Sequence, residues 1–365
     1  MTGVRENRFG RVRARMQEVG VEALLLSLGA DLPWLSGYDA MPLERLTMLV
    51  VPADGRATLV VPRLEAPRVE EDPAFTVRPW EEGDDPVAIV AGLVGSRRSL
   101  AVSDRTWATF VIALQGAIPG ASWIPSSGVV GPLRAVKEPA EIEALAAASA
   151  GADRVAAQLL SGDIPLIGRT EREVSDDISR RLIAEGHQKV NFAIVGSGPN
   201  AASPHHHPAG RVIGRRESVV CDFGGTMGGY CSDITRTVWT GPPDEEEVEA
   251  YSLLQHAQAV GVAAARVGVR CCDVDGATRE VIEAGGLGRA FIHRTGHGIG
   301  LEEHEDPYIS PANREVMVPG HAFSVEPGVY FAGRFGIRIE DIVVATEHGP
   351  RVLNSVSHDL TVLDV

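Results

Sequence analysis

Apolar residues in the first part of the chain fall at helical spacing and then close up into short continuous runs. Phe9, Val12 and Met16 recur inside the charged stretch from Arg5 to Val19, which predicts an amphipathic helix closed by Gly20. Val21 to Leu26 reads as a strand. Leu46 to Val51 and Ala57 to Val61 are two further apolar strands, and Pro52-Ala-Asp-Gly-Arg between them is a hairpin signal. The polar, Pro-containing stretch from Pro67 to Glu82 predicts no element. Ala88 to Val94 reads as a helix, Leu100 to Val102 as a short strand and Thr106 to Ala117 as a helix. Strands alternating with helices imply a small α/β domain. The stretch Pro125-Ser-Ser-Gly-Val-Val-Gly-Pro132 reads as a turn-rich linker, which divides the chain into residues 1–131 and 132–365.

Beyond the linker the pattern changes to α+β. A long helix runs from Ala140 to about Leu160, with Pro139 at its start, where the missing N–H costs nothing. A second helix begins at Thr170, whose spacing to Glu173 forms a capping box, and ends at Gly186. Further helices run from just after Pro242-Pro243-Asp244 to about Val267 and from about Val274 to Ala284. Between and after them lie strand-like runs: Asn191 to Val195, Ser218 to Phe223, Tyr230 to Trp239, His321 to Val325, Ile337 to Ala345 and Leu360 to Leu363. Two helices, a strand pair, two helices and a second strand pair suggest a duplication of about a hundred residues.

Composition narrows the function classes. A net charge of -15 over 365 residues argues against nucleic acid or an anionic membrane as partner, since both select a basic face. The N-terminus lacks the apolar core of a signal peptide, and no run approaches the roughly 18 apolar residues of a membrane span. A cytoplasmic location is expected. Cys221, Cys231, Cys271 and Cys272 form no CxxC pair, so buried thiols are expected rather than a disulfide or zinc knuckle.

The candidate chemistry lies in three stretches. His293-Arg-Thr-Gly-His-Gly-Ile-Gly-Leu-Glu-Glu-His-Glu-Asp-Pro307 places His297 and His304 seven residues apart among Gly296, Gly298 and Gly300. Imidazole can ligate a borderline metal or donate to a developing oxyanion; from these residues alone a hydrogen-bonded core histidine is equally open. The other two stretches are apolar hairpins carrying two carboxylates each. Asp222 and Asp233 can face one another across a turn supplied by the glycines at 224–225 and 228–229. Glu326 and Glu340 can do so across a turn near Ala332 to Gly336. A buried carboxylate is costly unless paired or bound to a cation, and Arg236 or Arg338 could pair with one of them. Four carboxylates with His297 instead favour a metal site. Oxygen-rich ligation with one imidazole suits manganese, cobalt, zinc or iron, and four carboxylates carry charge enough for two divalent ions.

These segments resemble the pita-bread metallopeptidases, the family of methionine aminopeptidase, aminopeptidase P, prolidase and the metal-free creatinase. The resemblance rests on Ile194 to His205, Asp222-Phe-Gly, Ser232 to Thr237, His293 to Pro307, Val325 to Tyr330 and Gly336 to Asp341, in family order. The N-terminal α/β domain followed by Leu133-Arg-Ala-Val-Lys-Glu-Pro-Ala-Glu-Ile resembles the creatinase and prolidase arrangement. The implied fold is a C-terminal pita-bread domain behind an N-terminal α/β creatinase-like domain, and the implied activity is that of an Xaa-Pro dipeptidase or Xaa-Pro aminopeptidase.

The resemblance implies a role for each residue. Asp222 would hold one of two divalent ions, manganese first among the candidates. Asp233 and Glu340 would bridge both, and His297 with Glu326 would complete the second. His205 and His304 would contact substrate and stabilise the tetrahedral intermediate. A hydroxide bridging the ions would attack the scissile carbonyl, and Glu326 would pass a proton to the leaving nitrogen. Phe192, Tyr230 and Tyr330 are candidate walls for a proline ring. Of His205, His206 and His207, only the first matches a family position; the other two are expected in solvent. Where some prolidases carry an Arg after Glu-x-Pro, this chain has Tyr308, so the carboxylate of a dipeptide would need Arg338, Arg334 or the N-terminal domain of a neighbouring subunit in a homodimer. Hydrolysis or cleavage of a small non-peptide metabolite on the same metals is the second reading, and a non-catalytic binding protein the third.

Overall fold

In the computed structural model, which describes residues 2–364, the chain divides into two compact units, Met1–Arg134 and Ala135–Val365. The division falls three residues past the expected boundary. The expected linker is not a loop: Ser127–Ala135 is a helix, with Pro132 inside it. Val129 and Val130 are fully buried, and burial of this apolar pair outweighs the turn propensity of the surrounding glycines and Pro132.

The first unit is built on a mixed six-stranded sheet. Its strands lie in the order Phe75–Trp80, Ala57–Pro62, Met48–Pro52, Ala23–Leu26, Ser99–Val102 and Ser122–Pro125. The helix Thr2–Glu18 buries Phe9, Val12 and Met16, as its spacing predicted. The strand Phe75–Trp80 occupies the stretch that predicted no element. Only its two end residues are buried, so its sequence carries little of the apolar signal of the central strands. Its parallel ladder to Ala57–Pro62 defines it instead.

The second unit repeats one construction. In its first half the helices Pro139–Leu160 and Glu171–Ala184 pack Val155, Leu159, Val174, Ile178 and Leu182 onto Val195, Val219, Phe223 and Ile234 of a sheet. That sheet orders Thr361–Val362, Ile234–Trp239, Ser218–Met227 and Lys189–Ser197, with Tyr230–Cys231 alongside. In the second half the helices Glu245–Ala264 and Cys271–Ala284 cover a sheet ordered Glu305–Ile309, Gly296–Gly298, Ala322–Val325, Asp341–Thr346 and Gly349–Val352. Each buried Leu, Val or Ile in these layers contributes about 1.5–3 kcal/mol by leaving water.

The expected duplication is visible in the backbone. Gly168 and Gly268 both take positive φ (81° and 88°), and their N–H groups donate to Ile213 and Met317. Thr170 bridges Val212, and Arg270 bridges Val316. The helices Glu171–Ala184 and Cys271–Ala284 then run for 14 residues each, and Gly186 and Gly286 follow at positive φ. The capping box predicted for the first is present: Thr170 Oγ1 accepts from the Glu173 N–H, and the Glu173 carboxylate accepts from the Thr170 N–H. All four cysteines are free thiols. Among the described residues, no helix is long and apolar enough to cross a membrane.

Candidate metal centre

The two carboxylate hairpins set the geometry. Ser218–Met227 and Ile234–Trp239 pair antiparallel with Thr235 opposite Asp222 and Cys231 opposite Thr226. In that register Asp233 stands opposite Gly224, so Asp222 and Asp233 share one face of the sheet as diagonal neighbours. The turn itself is Gly228-Gly229, both at positive φ. Gly224 and Gly225 are not part of it. They lie within the strand, where a Cβ on Gly224 would meet the Ser232 carbonyl oxygen. Gly224 lets the segment carrying Asp233 lie close, and Gly225 does the same for Lys189 on the other side.

In the second hairpin Val325 pairs with Asp341 and Gly328 with Arg338, which sets Glu326 opposite Glu340. The bridge Thr235↔Glu340 joins the two hairpins, and Thr235 Oγ1 donates to Glu340 Oε2 at 2.7 Å. His297 enters from Gly296–Gly298. Any side chain on Gly296 or Gly298 would strike the carbonyls of Ser324 or Asp306, so this strand can carry His297 into the sheet only with glycine on either side.

Asp233, His297 and Glu340 each bring a ligand atom within 4.8 Å of the other two. His297 Nε2 is 3.2 Å from Glu326 Oε1 and 3.7 Å from Asp233 Oδ2. His297 Nδ1 donates to the Gly298 carbonyl at 3.1 Å, which leaves the Nε2 lone pair turned to the carboxylates, the tautomer a metal ligand needs. Three buried oxygens, Asp222 Oδ1, Asp233 Oδ1 and Glu340 Oε1, have no hydrogen-bond partner. Unpaired buried acceptors of this kind are costly and rare in folded proteins. A cation among them would satisfy all three, so the donor set fits a divalent metal. The pairing alternative holds for Asp222 alone, whose Oδ2 meets Arg338 at 2.5 Å; Arg236 instead pairs with Asp341.

Electrostatics point the same way. Burial, then Glu340, Asp222 and Glu326, push the Asp233 carboxyl well above the ordinary range. Burial, then Glu326 and Asp222, do the same to Glu340. A buried carboxyl among like charges favours its protonated form, and a cation among the oxygens would offset that charge. Burial lowers His297 to about 4 and His304 to about 4, so both rings are neutral near pH 7.

The centre opens into a pocket of about 720 Å³. Phe192, His205, His304 and Arg338 line it with the five candidate ligands. His205 is exposed at its edge. His304 lies against His297 with ring centroids 3.8 Å apart and the planes tilted by 33°. Its Nδ1 lies 3.4 Å from Arg294 Nη2, and a guanidinium can only donate, so the neutral ring carries its proton on Nε2.

Other expected residues are elsewhere or otherwise engaged. Tyr230 is not part of the lining; its hydroxyl donates to Glu141 at 2.7 Å, because its strand turns that ring toward the helix Pro139–Leu160. Tyr330 lies behind the pocket wall, accepting from Arg338 at 2.9 Å and facing His293 Nε2 at 3.0 Å. Arg334 is at the surface in an ion pair with Glu246. His206 is not free in solvent; it meets the buried Glu171 at 2.7 Å. The sequence reading passed over His293, Arg294 and Glu303 as lining residues. All three belong to the Gly-rich stretch around His297, and the available signal was that His293 and Arg294 precede this candidate ligand.

Two family models match the chain: Metallopeptidase family M24 over residues 141–347 and Creatinase/Prolidase N-terminal domain over residues 8–136. A protein named probable dipeptidase PepE from Mycobacterium tuberculosis is 44% identical over 98% of this chain and 96% of its own length. The Xaa-Pro dipeptidase of Lactobacillus helveticus is 33% identical, covering 96% of this chain and 97% of that protein. The crystal structure of dipeptidase PepE from Mycobacterium ulcerans superposes with a TM-score of 0.93 at 44% identity, over 99% of this chain and 98% of that one.

Proposed function

Because the chain belongs to metallopeptidase family M24, we propose that it is a dinuclear-metal Xaa-Pro dipeptidase, hydrolysing the bond before proline. The observation that carries this reading is the set of three unpartnered buried carboxylate oxygens beside the neutral His304 on one pocket wall. Asp222, Asp233, His297, Glu326 and Glu340 would hold two divalent ions, manganese first among those that suit the set. Bound there, the ions supply a water acidified enough to act as nucleophile near neutral pH and polarise the scissile carbonyl.

The chain's own groups do the rest. His304 Nε2–H donates to the carbonyl oxygen as negative charge develops on it. His205, at the pocket edge, adds a second contact to the substrate. Glu326, 3.2 Å from His297 Nε2, accepts a proton from the attacking water and returns it to the imino nitrogen of the leaving proline. Phe192 and Ile194 offer an apolar wall to the proline ring. A cytoplasmic homodimer completes the proposal and is tested by light scattering and fractionation.

The test of the function is hydrolysis of Xaa-Pro dipeptides against Xaa-Pro-Yaa tripeptides, with metal content measured on the same preparation. Dipeptide hydrolysis that depends on bound manganese, cobalt, zinc or iron is expected. Hydrolysis of neither substrate by fully loaded protein would overturn the reading in favour of a non-peptide substrate.

A further inference from the structure

A dipeptide differs from every longer peptide in one respect near the scissile bond: its second residue ends in a carboxylate. That anion lies one residue beyond the scissile carbonyl, roughly 3.3–3.6 Å along the chain. A protein cation that receives it must therefore sit about one residue's length from the group that polarises the carbonyl. Two arginines line the pocket. Arg338 is committed: it donates to Asp222, Thr235, the Tyr330 hydroxyl and the Pro204 carbonyl, which uses the guanidinium on every side.

Arg294 differs from Arg338 in each respect. Among the described residues, no carboxylate pairs with it. Its guanidinium lies 4.3 Å from the centre of the Tyr308 ring, and its Nη2 is 3.4 Å from His304 Nδ1. The ring seats the guanidinium through its face, and the N–H donors that His304 does not use remain for a carboxylate. We propose that Arg294, seated over the Tyr308 ring, receives the C-terminal carboxylate of the substrate and so restricts the site to dipeptides. The inference rests on the Xaa-Pro dipeptidase reading and deepens it: a tripeptide presents a neutral amide at this position.

The experiment compares Leu-Pro with Leu-Pro-amide on the manganese-loaded protein and on Arg294→Met, Arg294→Lys and Tyr308→Ala. Wild-type protein is expected to prefer the free acid. Arg294→Met should lower the ratio of kcat/KM for acid over amide by about 10- to 100-fold, with the change carried by KM. Arg294→Lys keeps the charge and should restore part of the ratio. Tyr308→Ala should lower the ratio by a smaller factor, because the cation remains but is no longer seated over the ring. Loss of activity in the same proportion on acid and amide would overturn the proposal, since Arg294 would then act only through His304; so would an unchanged ratio in Arg294→Met. Wild-type protein inactive on both substrates would overturn the dipeptidase reading and this inference with it, and that failure shows before any variant is tested.

Discussion

Replacing Asp233 by Asn should have opposite effects in the presence and absence of cations. In the cation-free protein Asp233 is buried, one of its oxygens has no hydrogen-bond partner, and three other carboxylates surround it. Its carboxyl is held above the ordinary range by burial and by those like charges. A group whose pKa is raised in the folded state adds stability below its unfolded pKa and loses it as pH rises through the folded value. At pH 8 the cluster therefore strains the cation-free fold. Two like charges about 4 Å apart at an effective dielectric of about 20 repel by about 4 kcal/mol. An amide removes that repulsion but brings an unmet N–H₂ group costing about 1–3 kcal/mol. The net gain is about 2 kcal/mol, or about 4–8 °C in Tm for a unit of this size. With manganese the sign reverses. A single cation at a hundred times its Kd stabilises the wild-type fold by about 2.7 kcal/mol, and the variant lacks a ligand expected to be shared by both ions. Scanning calorimetry at pH 8, in chelator and in millimolar manganese, reads both arms. Asp233→Asn that melts lower than wild type in chelator, or that keeps the full manganese-induced rise, would refute the reasoning.

Three further outcomes follow from contacts elsewhere in the catalytic unit. Lys137→Met removes the ammonium that meets the buried Glu305 at 2.6 Å and should cost about 3–5 kcal/mol in urea unfolding, with Arg334→Ala on the surface as a control within about 0.5 kcal/mol. Glu171 is buried, which raises its pKa, but hydrogen bonds from Ser197, His206 and Asn200 outweigh burial and bring the net value below the ordinary range. Its stabilising effect is therefore present above the unfolded pKa and lost as pH falls, so Glu171→Gln should flatten the acid limb of a stability-versus-pH curve. Gly296→Ala would place a Cβ against the Ser324 carbonyl and should abolish manganese binding measured by calorimetry, whereas Gly210→Ala, with open space around it, should bind as wild type does.

The candidate site was more legible than the fold around it. Asp222, Asp233, Glu326 and Glu340 announce themselves because a carboxylate between Val, Ile and Phe contradicts its surroundings, and the paired turns fix which of them can meet. Regular strands with continuous apolar runs, such as Met48–Pro52, were equally plain. What escaped was defined by partners rather than by composition. The strand Phe75–Trp80 alternates polar residues on an edge, and the helix Ser127–Ala135 carries three residues of turn-like type that only tertiary burial overrides. Tyr230 illustrates the same limit inside the site: its proximity to Asp233 in sequence was visible, but the direction of its ring was set by Glu141, 89 positions away. The hundred-residue repeat was legible only in the order of helices and strands, because residue by residue it is kept in glycine dihedrals and backbone bonds, which different side chains can satisfy.

The bridge between Thr235 and Glu340 also has a consequence for biosynthesis. The two residues are 105 positions apart, so at a translation rate of about 5–20 residues per second the first hairpin waits roughly 5–20 s for its partner to leave the ribosome. During that interval Asp222 and Asp233 form an incomplete chelate with an unpaired sheet edge beside it, open to the wrong ion or to a neighbouring nascent chain. Order of emergence, as much as final affinity, would then govern which metal the newly made protein carries.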